Sequence, residues 1–223
     1  MLYAVADVDG VERIRYTTSH PRDMGLDVIQ AYRDIPTLCS YLHLPVQSGS
    51  SKILRRMKRF YTRERYLEVV AQLRDARPDL TLSTDFIVGF PGETAEDFEQ
   101  TMSLLEEVRF HSSFSFKYSQ RPDTPAIKLA NRDPVDPVLA GKRLMRLQAR
   151  QRQIAQEEHL LLEGTVLPVL VEGPSKHDEG VVCGRTSTFK TVNFPGRTSW
   201  VGQTIPVRIT KAFANSLRGE VHS

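Results

Sequence analysis

Residues 81–94 have the sequence TLSTDFIVGFPGET, and this stretch decides the fold class. Its first eight residues, Thr81–Val88, are mostly β-branched or apolar, which predicts a strand. Thr94 followed by Asp97 resembles a capping box, and apolar residues then recur at helical spacing. The two glycines of the turn let backbone approach a ligand closely at the amino end of that helix. Alone, the turn is a weak functional signal, because many strand-to-helix turns carry Gly and Pro for steric reasons.

Three further stretches have strand character, and each ends in a loop. They are Arg13–Thr18, Ser40–Val46 and Ser113–Tyr118. Helical patterns lie between these strands, which predicts parallel pairing through right-handed crossovers. We therefore expect a barrel or a doubly wound α/β domain, with function on the loops after the carboxyl ends of the strands.

The last third of the sequence changes from a helical to an alternating period. Pro137 begins a long helix that is expected to reach Glu163, with Gly164 as its C-cap. Five short strands with Gly and Pro between them predict a small closed barrel of the type that binds oligonucleotides. The strands are Thr165–Val171, Gly180–Arg185, Thr191–Phe194, Thr204–Thr210 and Ser216–Val221. We expect two domains, residues 1–160 with a linker helix at 137–160, and residues 161–223.

Composition and missing motifs exclude several classes of protein. The 223 residues include two cysteines, Cys39 and Cys183, whose spacing fits neither a disulfide framework nor a metal site. This usage suits a reducing cytoplasm, and no apolar run reaches the roughly 20 residues that cross a membrane. Nucleophilic triads and phosphate-loop lysine motifs are missing. From the residues alone, the prediction stops at an α/β domain with a nucleotide-like site, joined to a basic β-barrel.

The barrel segment is one-sided in charge. Residues 180–219 contain no Asp or Glu, although the net charge of the chain is only +3. Such a bias favours a polyanionic partner, and a solvated basic face explains it equally well. The cations of this segment are Arg185, Lys190, Arg197, Arg208, Lys211 and Arg218.

Taken together, the loops resemble those of the radical-SAM methylthiotransferases. The segments that carry the resemblance are YLHLPVQSGS (41–50), DFIVGFPGET (85–94) and YSQRPDTPA (118–126). The terminal barrel resembles a TRAM domain, an RNA-binding module, so the resemblance covers essentially the whole chain. It implies a partial radical-SAM (βα) barrel followed by a small all-β TRAM or OB-like barrel.

Two segments resemble the branch of this family that modifies tRNA: TTSHP (17–21) and NSLRGE (215–220). The implied reaction adds a methylthio group to C2 of N6-isopentenyladenosine at position 37, using S-adenosylmethionine and [4Fe-4S] clusters. The implied partner is the tRNA anticodon stem-loop, bound by a cytoplasmic monomer. Three alternatives stay open: a relative acting on threonylcarbamoyladenosine, a tRNA-binding module without catalysis, and a hydrolase or aldolase barrel. The last would need an acid–base pair that the sequence does not offer.

The resemblance also implies roles for residues at the strand ends. Those expected to approach S-adenosylmethionine or the substrate are Gln47, Ser48, Asp85, Ile87, Gly89, Tyr118 and Arg121. Ser19 and His20 are expected to face the same cavity, although a lone His before Pro is more often structural. The six barrel cations are candidate phosphate contacts. Three aromatic residues are candidates for stacking on anticodon-loop bases, or for the barrel core: Phe189, Phe194 and Trp200.

The sequence departs from the family in two ways. Asp123 stands where the family usually has Gly. The amino-terminal domain with three cluster cysteines is missing, and so is the C-x3-C-x2-C loop of the first barrel strands. The cluster ligands are therefore absent from this chain, and we expect a fragment that is inactive by itself.

Overall fold

The computed structural model describes residues 1–17, 20–122, 124–175 and 179–222. In chain order the helices are α1 (Leu2–Ala6), α2 (Leu26–Asp34), α3 (Ser51–Arg56), α4 (Arg63–Ala76), α5 (Ala95–Val108), α6 (Ala126–Arg132) and α7 (Pro137–Leu160). The strands are β1 (Tyr41–His43), β2 (Thr81–Val88), β3 (Ser112–Lys117), β4 (Val166–Pro174), β5 (Val181–Arg185), β6 (Thr191–Pro195), β7 (Thr204–Ala212) and β8 (Leu217–Val221). Strands β1–β3 form one sheet, and β4–β8 form a closed barrel. The predicted fold class, an α/β sheet followed by a small all-β barrel, is confirmed.

The central strand of the sheet is β2, which pairs in parallel with β1 and with β3. Successive side chains of a strand point to opposite faces. Leu82, Phe86 and Val88 are buried in a core shared with apolar residues of α2, α4 and α5. Ser83, Asp85 and Ile87 alternate with them, so these three lie on the other face. The sheet therefore has a helix-covered face and a second face that carries polar groups.

The prediction of a first strand at Arg13–Thr18 was wrong within the described residues. Only two isolated bridges form there, from Ile14 to Leu38 and from Thr17 to His43. Residues 36–40, which lie beside Ile14, turn instead of extending, so they do not form a continuous ladder with residues 13–17. The sheet thus has three strands in the described part of the chain, and β1 is shorter than the predicted Ser40–Val46. Helix α6 was not predicted.

The predicted helix start at Thr94 is confirmed by its cap, and two further helices are capped in a similar way. The Thr94 hydroxyl accepts a hydrogen bond from the Asp97 N–H, while the Asp97 carboxylate accepts one from the Thr94 N–H. The hydroxyls of Ser50 and Thr62 accept from backbone N–H groups at the starts of α3 and α4. These bonds satisfy donors that a helix leaves unpaired. Helix α7 ends at Leu160 and not at Glu163, since residues 161–164 form a turn before β4.

The barrel closes in the order β4-β5-β6-β8-β7. Its interior is filled by a single apolar cluster that includes Val169, Val182, Phe194 and Val207. Neighbouring strands are antiparallel, apart from the parallel pair β6–β8. All five predicted strands are present, with ends that differ by a few residues. A small barrel with no free edge needs no partner chain to complete its hydrogen bonds.

The barrel packs against the amino-terminal end of the sheet through the hairpin between β5 and β6. The Phe189 ring stacks on the Tyr41 ring, with centroids 4.4 Å apart and planes at 20°. The guanidinium groups of Arg15 and Arg185 lie 4.7 and 4.2 Å from the centroid of the same ring. The Thr81 hydroxyl donates to the carbonyl oxygen of Thr188 at 2.8 Å. Tyr41 and Thr81 begin their strands, so the barrel contacts the end of the sheet opposite to the loops.

Two titratable groups lie at this interface. Desolvation, together with the nearby charges of Lys190 and His159, lowers the pKa of His111 to about 3, so the ring is neutral. Burial also lowers the pKa of Lys190 to about 8. The Lys190 ammonium lies 3.5 Å from Nδ1 of His111 and donates a hydrogen bond to it. Lys190 therefore belongs to the interior of the interface.

The stacked pair predicts a coupling between the two domains. A double-mutant cycle with Tyr41→Leu and Phe189→Leu should give a coupling energy of about 0.5–1.5 kcal/mol, as expected for an aromatic pair. Urea denaturation measures it. Phe213→Leu combined with Tyr41→Leu is the control, since Phe213 stacks with Lys211 instead. Additivity of the Tyr41 and Phe189 changes would contradict the contact.

Candidate cofactor and RNA site

The face of the sheet away from the helices is open. In the parallel register, Asp85 pairs with Phe114 and Ile87 pairs with Phe116, so these four side chains share that face. Phe114 is 59% exposed and Phe116 is 55% exposed. Neither was singled out from the sequence, although the alternation S-F-S-F at residues 113–116 carried the signal. An open face with aromatic and carboxylate side chains can take a ligand with an apolar ring and a polar part.

A line of hydrogen-bonded polar groups crosses the same face. The Ser83 hydroxyl lies 2.6 Å from the Tyr41 hydroxyl and 2.7 Å from Nδ1 of His43. Nε2 of His43 lies 3.5 Å from the Asp85 carboxylate. The edge of the His43 ring approaches Phe114, with centroids 6.0 Å apart. His43 thus orients Asp85, and sequence reasoning missed it even though Tyr41 and His43 occupy alternate positions in β1.

A cavity of about 590 Å³ lies at the carboxyl end of the sheet. Ile87 and Phe90 contribute apolar surface, together with Met57 and Leu129. Its cationic lining residues are Arg56, Lys58, Arg59 and Lys128. Arg56 is paired with Asp133 at 2.5 Å, whereas the other three form no ion pair within the described ranges. An apolar floor with cations at its edge suits a nucleotide, whose base is flat and whose phosphates are anionic.

His20 lines this cavity together with Ile87. Its Nδ1 accepts a hydrogen bond from the Arg22 N–H at 3.3 Å, and its ring meets the edge of the Tyr61 ring. Burial lowers the pKa of His20, and the nearby charge of Arg59 lowers it further. The imidazole therefore caps a local turn and faces the cavity as well. Its predicted neighbour Ser19 lies outside the described residues.

Gly89 and Tyr118 line a separate cavity of about 210 Å³ beside α7. Gly89 has φ +70°, and a Cβ there would stand 2.6 Å from the Cβ of Ala140. The backbone of Gly89 therefore lies close to helix α7. The Tyr118 hydroxyl is buried and has no hydrogen-bond partner in the described part of the chain. The structure thus divides the predicted cofactor residues between two neighbouring cavities, because α7 packs on the turn that contains Gly89.

Four predicted residues do not line either cavity: Asp85, which lies on the open sheet face, and Gln47, Ser48 and Arg121. Ser48 is fully buried, and its hydroxyl accepts from the Ser50 N–H at 3.2 Å, so it shapes the loop. Gln47 is buried with φ +70°, and its backbone bonds to Asp85 and Ile87 of β2. Arg121 is exposed, and its carbonyl oxygen accepts from Thr124. Asp123 lies outside the described residues.

A buried ion pair holds the glycine-rich turn against α7. Arg143 donates to the Glu93 carboxylate at 2.6 Å, and both side chains are almost fully buried. The same carboxylate accepts from the Gly89 N–H at 2.9 Å. Burial raises the pKa of Glu93, against the opposing effects of the Gly89 N–H and Arg143. This pair fixes the turn at the edge of both cavities.

Removing one partner of that pair should destabilise the protein strongly. Arg143→Met leaves the Glu93 carboxylate buried without its counter-charge, which costs about 3–5 kcal/mol in the free energy of unfolding. Arg146→Met is the matched control on the same helix: Arg146 pairs with Glu99 at the surface, where a loss of about 0–1 kcal/mol is expected. Urea denaturation compares the two variants. Equal losses would contradict the importance of the buried pair.

The barrel cations differ in how they are placed. Arg197, Lys211 and Arg218 are exposed. Arg208 is half-buried and donates to the carbonyl oxygen of Gly164. Arg185 pairs with Glu172 at 3.1 Å and lies over Phe189. Lys190 is 5% exposed, so the prediction that it contacts an RNA phosphate does not agree with the structure: the hairpin turns its side chain toward His111.

The three aromatic candidates also separate. Phe194 is fully buried, so it belongs to the barrel core and is not available to stack on a base. Trp200 packs on the same core and is half-buried. Phe189 stacks on Tyr41 and is covered by two arginines. Its ring is thus used within the chain, which the sequence alone did not reveal.

Comparison with known families matches both halves of the chain. The model of the radical SAM superfamily matches residues 2–105, and the TRAM domain model matches residues 161–222. Residues 2–105 are thus similar to the radical SAM superfamily, and residues 161–222 are similar to the TRAM domain. The fold agrees: coproporphyrinogen III oxidase from Escherichia coli, described as a radical SAM enzyme, superposes with a TM-score of 0.53. That match has 18% identity and covers 98% of this chain and 52% of the other.

Curated relatives are similar over nearly the whole chain. A protein of Methylococcus capsulatus named tRNA-2-methylthio-N(6)-dimethylallyladenosine synthase is 51% identical over 221 residues. Proteins with the same name from Actinobacillus pleuropneumoniae and Haemophilus influenzae are 49% and 50% identical. Each alignment covers 99% of this chain and 46–48% of the relative. This chain therefore spans about half the length of the curated relatives that it matches.

The radical SAM family uses iron–sulfur clusters, and the cysteines of this chain do not fit one. Cys39 is buried beside the sheet, and Cys183 lies in the barrel strand β5. Within the described ranges, no group of three or more His, Cys, Asp or Glu side chains is arranged to hold a metal ion. Among the same residues, no helix has the length and apolarity to span a membrane.

Proposed function

We propose that this chain supplies the substrate-facing sheet and the RNA-binding barrel of a tRNA methylthiotransferase. The reaction is addition of a methylthio group to C2 of N6-isopentenyladenosine at position 37 of tRNA. The observation that carries the proposal is the open sheet face, which leads into a cavity with apolar and cationic lining residues. The relatives that are about 50% identical bear the name of this activity.

The residues of the open face fit S-adenosylmethionine. Asp85 offers a carboxylate to its cationic groups, and Ile87 and the two exposed phenylalanines offer surface to its adenine. In the neighbouring cavity beside α7, the buried Tyr118 hydroxyl lacks a partner in the described part of the chain. When bound, S-adenosylmethionine supplies the radical and the methyl group of the reaction. The part of this chain is to orient Asp85 through His43 and to keep water from the apolar floor.

The two domains have different roles in this proposal. Residues 1–160 hold the cofactor and the target base, and residues 161–223 form a TRAM barrel that binds the anticodon stem-loop. Arg197, Lys211 and Arg218 are its exposed candidates for phosphate contacts, with Arg208 and Arg185 beside them. We infer a cytoplasmic monomer.

A second candidate is a tRNA-binding module without chemistry. The observation that favours it is that two distant cysteines cannot ligate a cluster. We expect no methylthiolated tRNA from this chain after cluster reconstitution, as measured by mass spectrometry of tRNA nucleosides. The test uses tRNA from a strain that lacks the modification, and turnover by the chain alone would contradict the expectation.

Binding of the anticodon stem-loop tests the RNA part. Affinity should fall steeply with salt, and Arg218→Ala should reduce the slope of log K against log salt by about 1, because one phosphate contact is lost. Lys190→Met is the control, since a buried lysine releases no counterion. Fluorescence anisotropy at several salt concentrations measures both slopes. Absence of binding at low salt would contradict RNA recognition by this chain.

A further inference from the structure

The barrel lies at the end of the sheet opposite to the cavity, so the barrel cations are far from a base that would enter the cavity. The barrel touches the first residues of β1 and β2, through Tyr41 and Thr81. The cavity lies beyond the last residues of β2, which has eight residues. At about 3.3 Å per residue, the two ends are roughly 26 Å apart. An RNA base that enters the cavity therefore needs a contact on the core domain.

The segment between α3 and α4, residues 57–62, lies beside the cavity. Lys58 and Arg59 line it. The Tyr61 hydroxyl donates to the carbonyl oxygen of Val46 at 3.1 Å, and the Arg59 N–H donates to that of Leu54 at 3.0 Å. These bonds hold the segment at the carboxyl end of β1, next to the loop that follows that strand.

Phe60 within this segment is unusual in two respects. Its side chain is 73% exposed, and its backbone is left-handed, with φ +59°. A residue with a Cβ is disfavoured in that conformation. Because the ring is mostly exposed, it contributes little hydrophobic stabilisation to the fold. Neither feature adds to stability, and strained residues of this kind cluster at binding sites. Lys58 shares the left-handed conformation, with φ +57°.

We propose that Phe60 stacks on an unpaired nucleobase of the bound RNA beside the cavity, while Lys58 and Arg59 contact the adjacent phosphates. The inference rests on the RNA binding proposed above, and it adds a recognition site on the core domain.

The charges around Phe60 favour RNA over a protein partner. Residues 55–61, RRMKRFY, contain four cations and no acid. The Arg22 guanidinium lies 5.9 Å from the centre of the Phe60 ring. Aromatic rings among cations are typical of single-stranded nucleic-acid sites, and a lysine such as Lys58 is of a type that the centres of protein interfaces are depleted in.

Phe60→Gly tests the inference without endangering the fold, because glycine adopts the left-handed conformation freely. We expect a melting temperature equal to or above that of the wild type. Affinity for a labelled RNA stem-loop with an unpaired loop should fall roughly 5- to 150-fold, the range for one stacked base. The salt slope should stay the same, and Phe60→Trp should retain the affinity.

Lys58→Gly is the matched control, since it relieves the same backbone conformation and removes a charge instead of a ring. We expect a salt slope lower by about 1 for this variant. If the wild type binds the stem-loop and Phe60→Gly binds within about twofold of it, this inference is overturned and the proposed function stands. If the wild-type chain does not bind the stem-loop, both are overturned.

Discussion

The hairpin tip at Phe189 is the contact on which the arrangement of the two domains depends. Its ring is stacked on Tyr41, and Arg15 and Arg185 lie over it. This one residue of the barrel is therefore held by two segments of the core domain and by Arg185 of the adjacent strand β5. The backbone of Phe189 is left-handed at this tip, with φ +65°. The neighbouring Lys190 is buried.

This attachment separates the functions of the chain in space. The barrel contacts the amino ends of the strands, while the cavity and its cationic lining lie at the carboxyl ends. Between them runs the open sheet face with His43, Asp85 and the exposed Phe114 and Phe116. An RNA stem-loop that is bound at the barrel can place its loop over this face, provided that the core domain also holds it.

The sequence predicted those features that depend on local pattern. The strand Thr81–Val88, the capping box behind it and the five barrel strands follow from periodicity and turn chemistry, and the structure has them. Contacts between distant segments were not predictable in this way. Nothing local indicates that Phe189 meets Tyr41, that Lys190 is buried, or that α7 covers Gly89. The strand at Arg13–Thr18 failed for the same reason, because a strand also needs an extended partner. Alternation along the strands could have placed His43 and Phe114 on the open face with Asp85, but it was not applied to them.

Hydrogen–deuterium exchange with and without a bound anticodon stem-loop tests the central claim most directly. The claim is that RNA contacts the chain at two separate places, the segment at residues 57–62 and the exposed part of the barrel around Arg218. We predict slower exchange in both places on binding, and no change at the hairpin tip, residues 186–190, whose side chains already pack against the sheet. Protection confined to the barrel, or protection of the hairpin tip, would contradict the account.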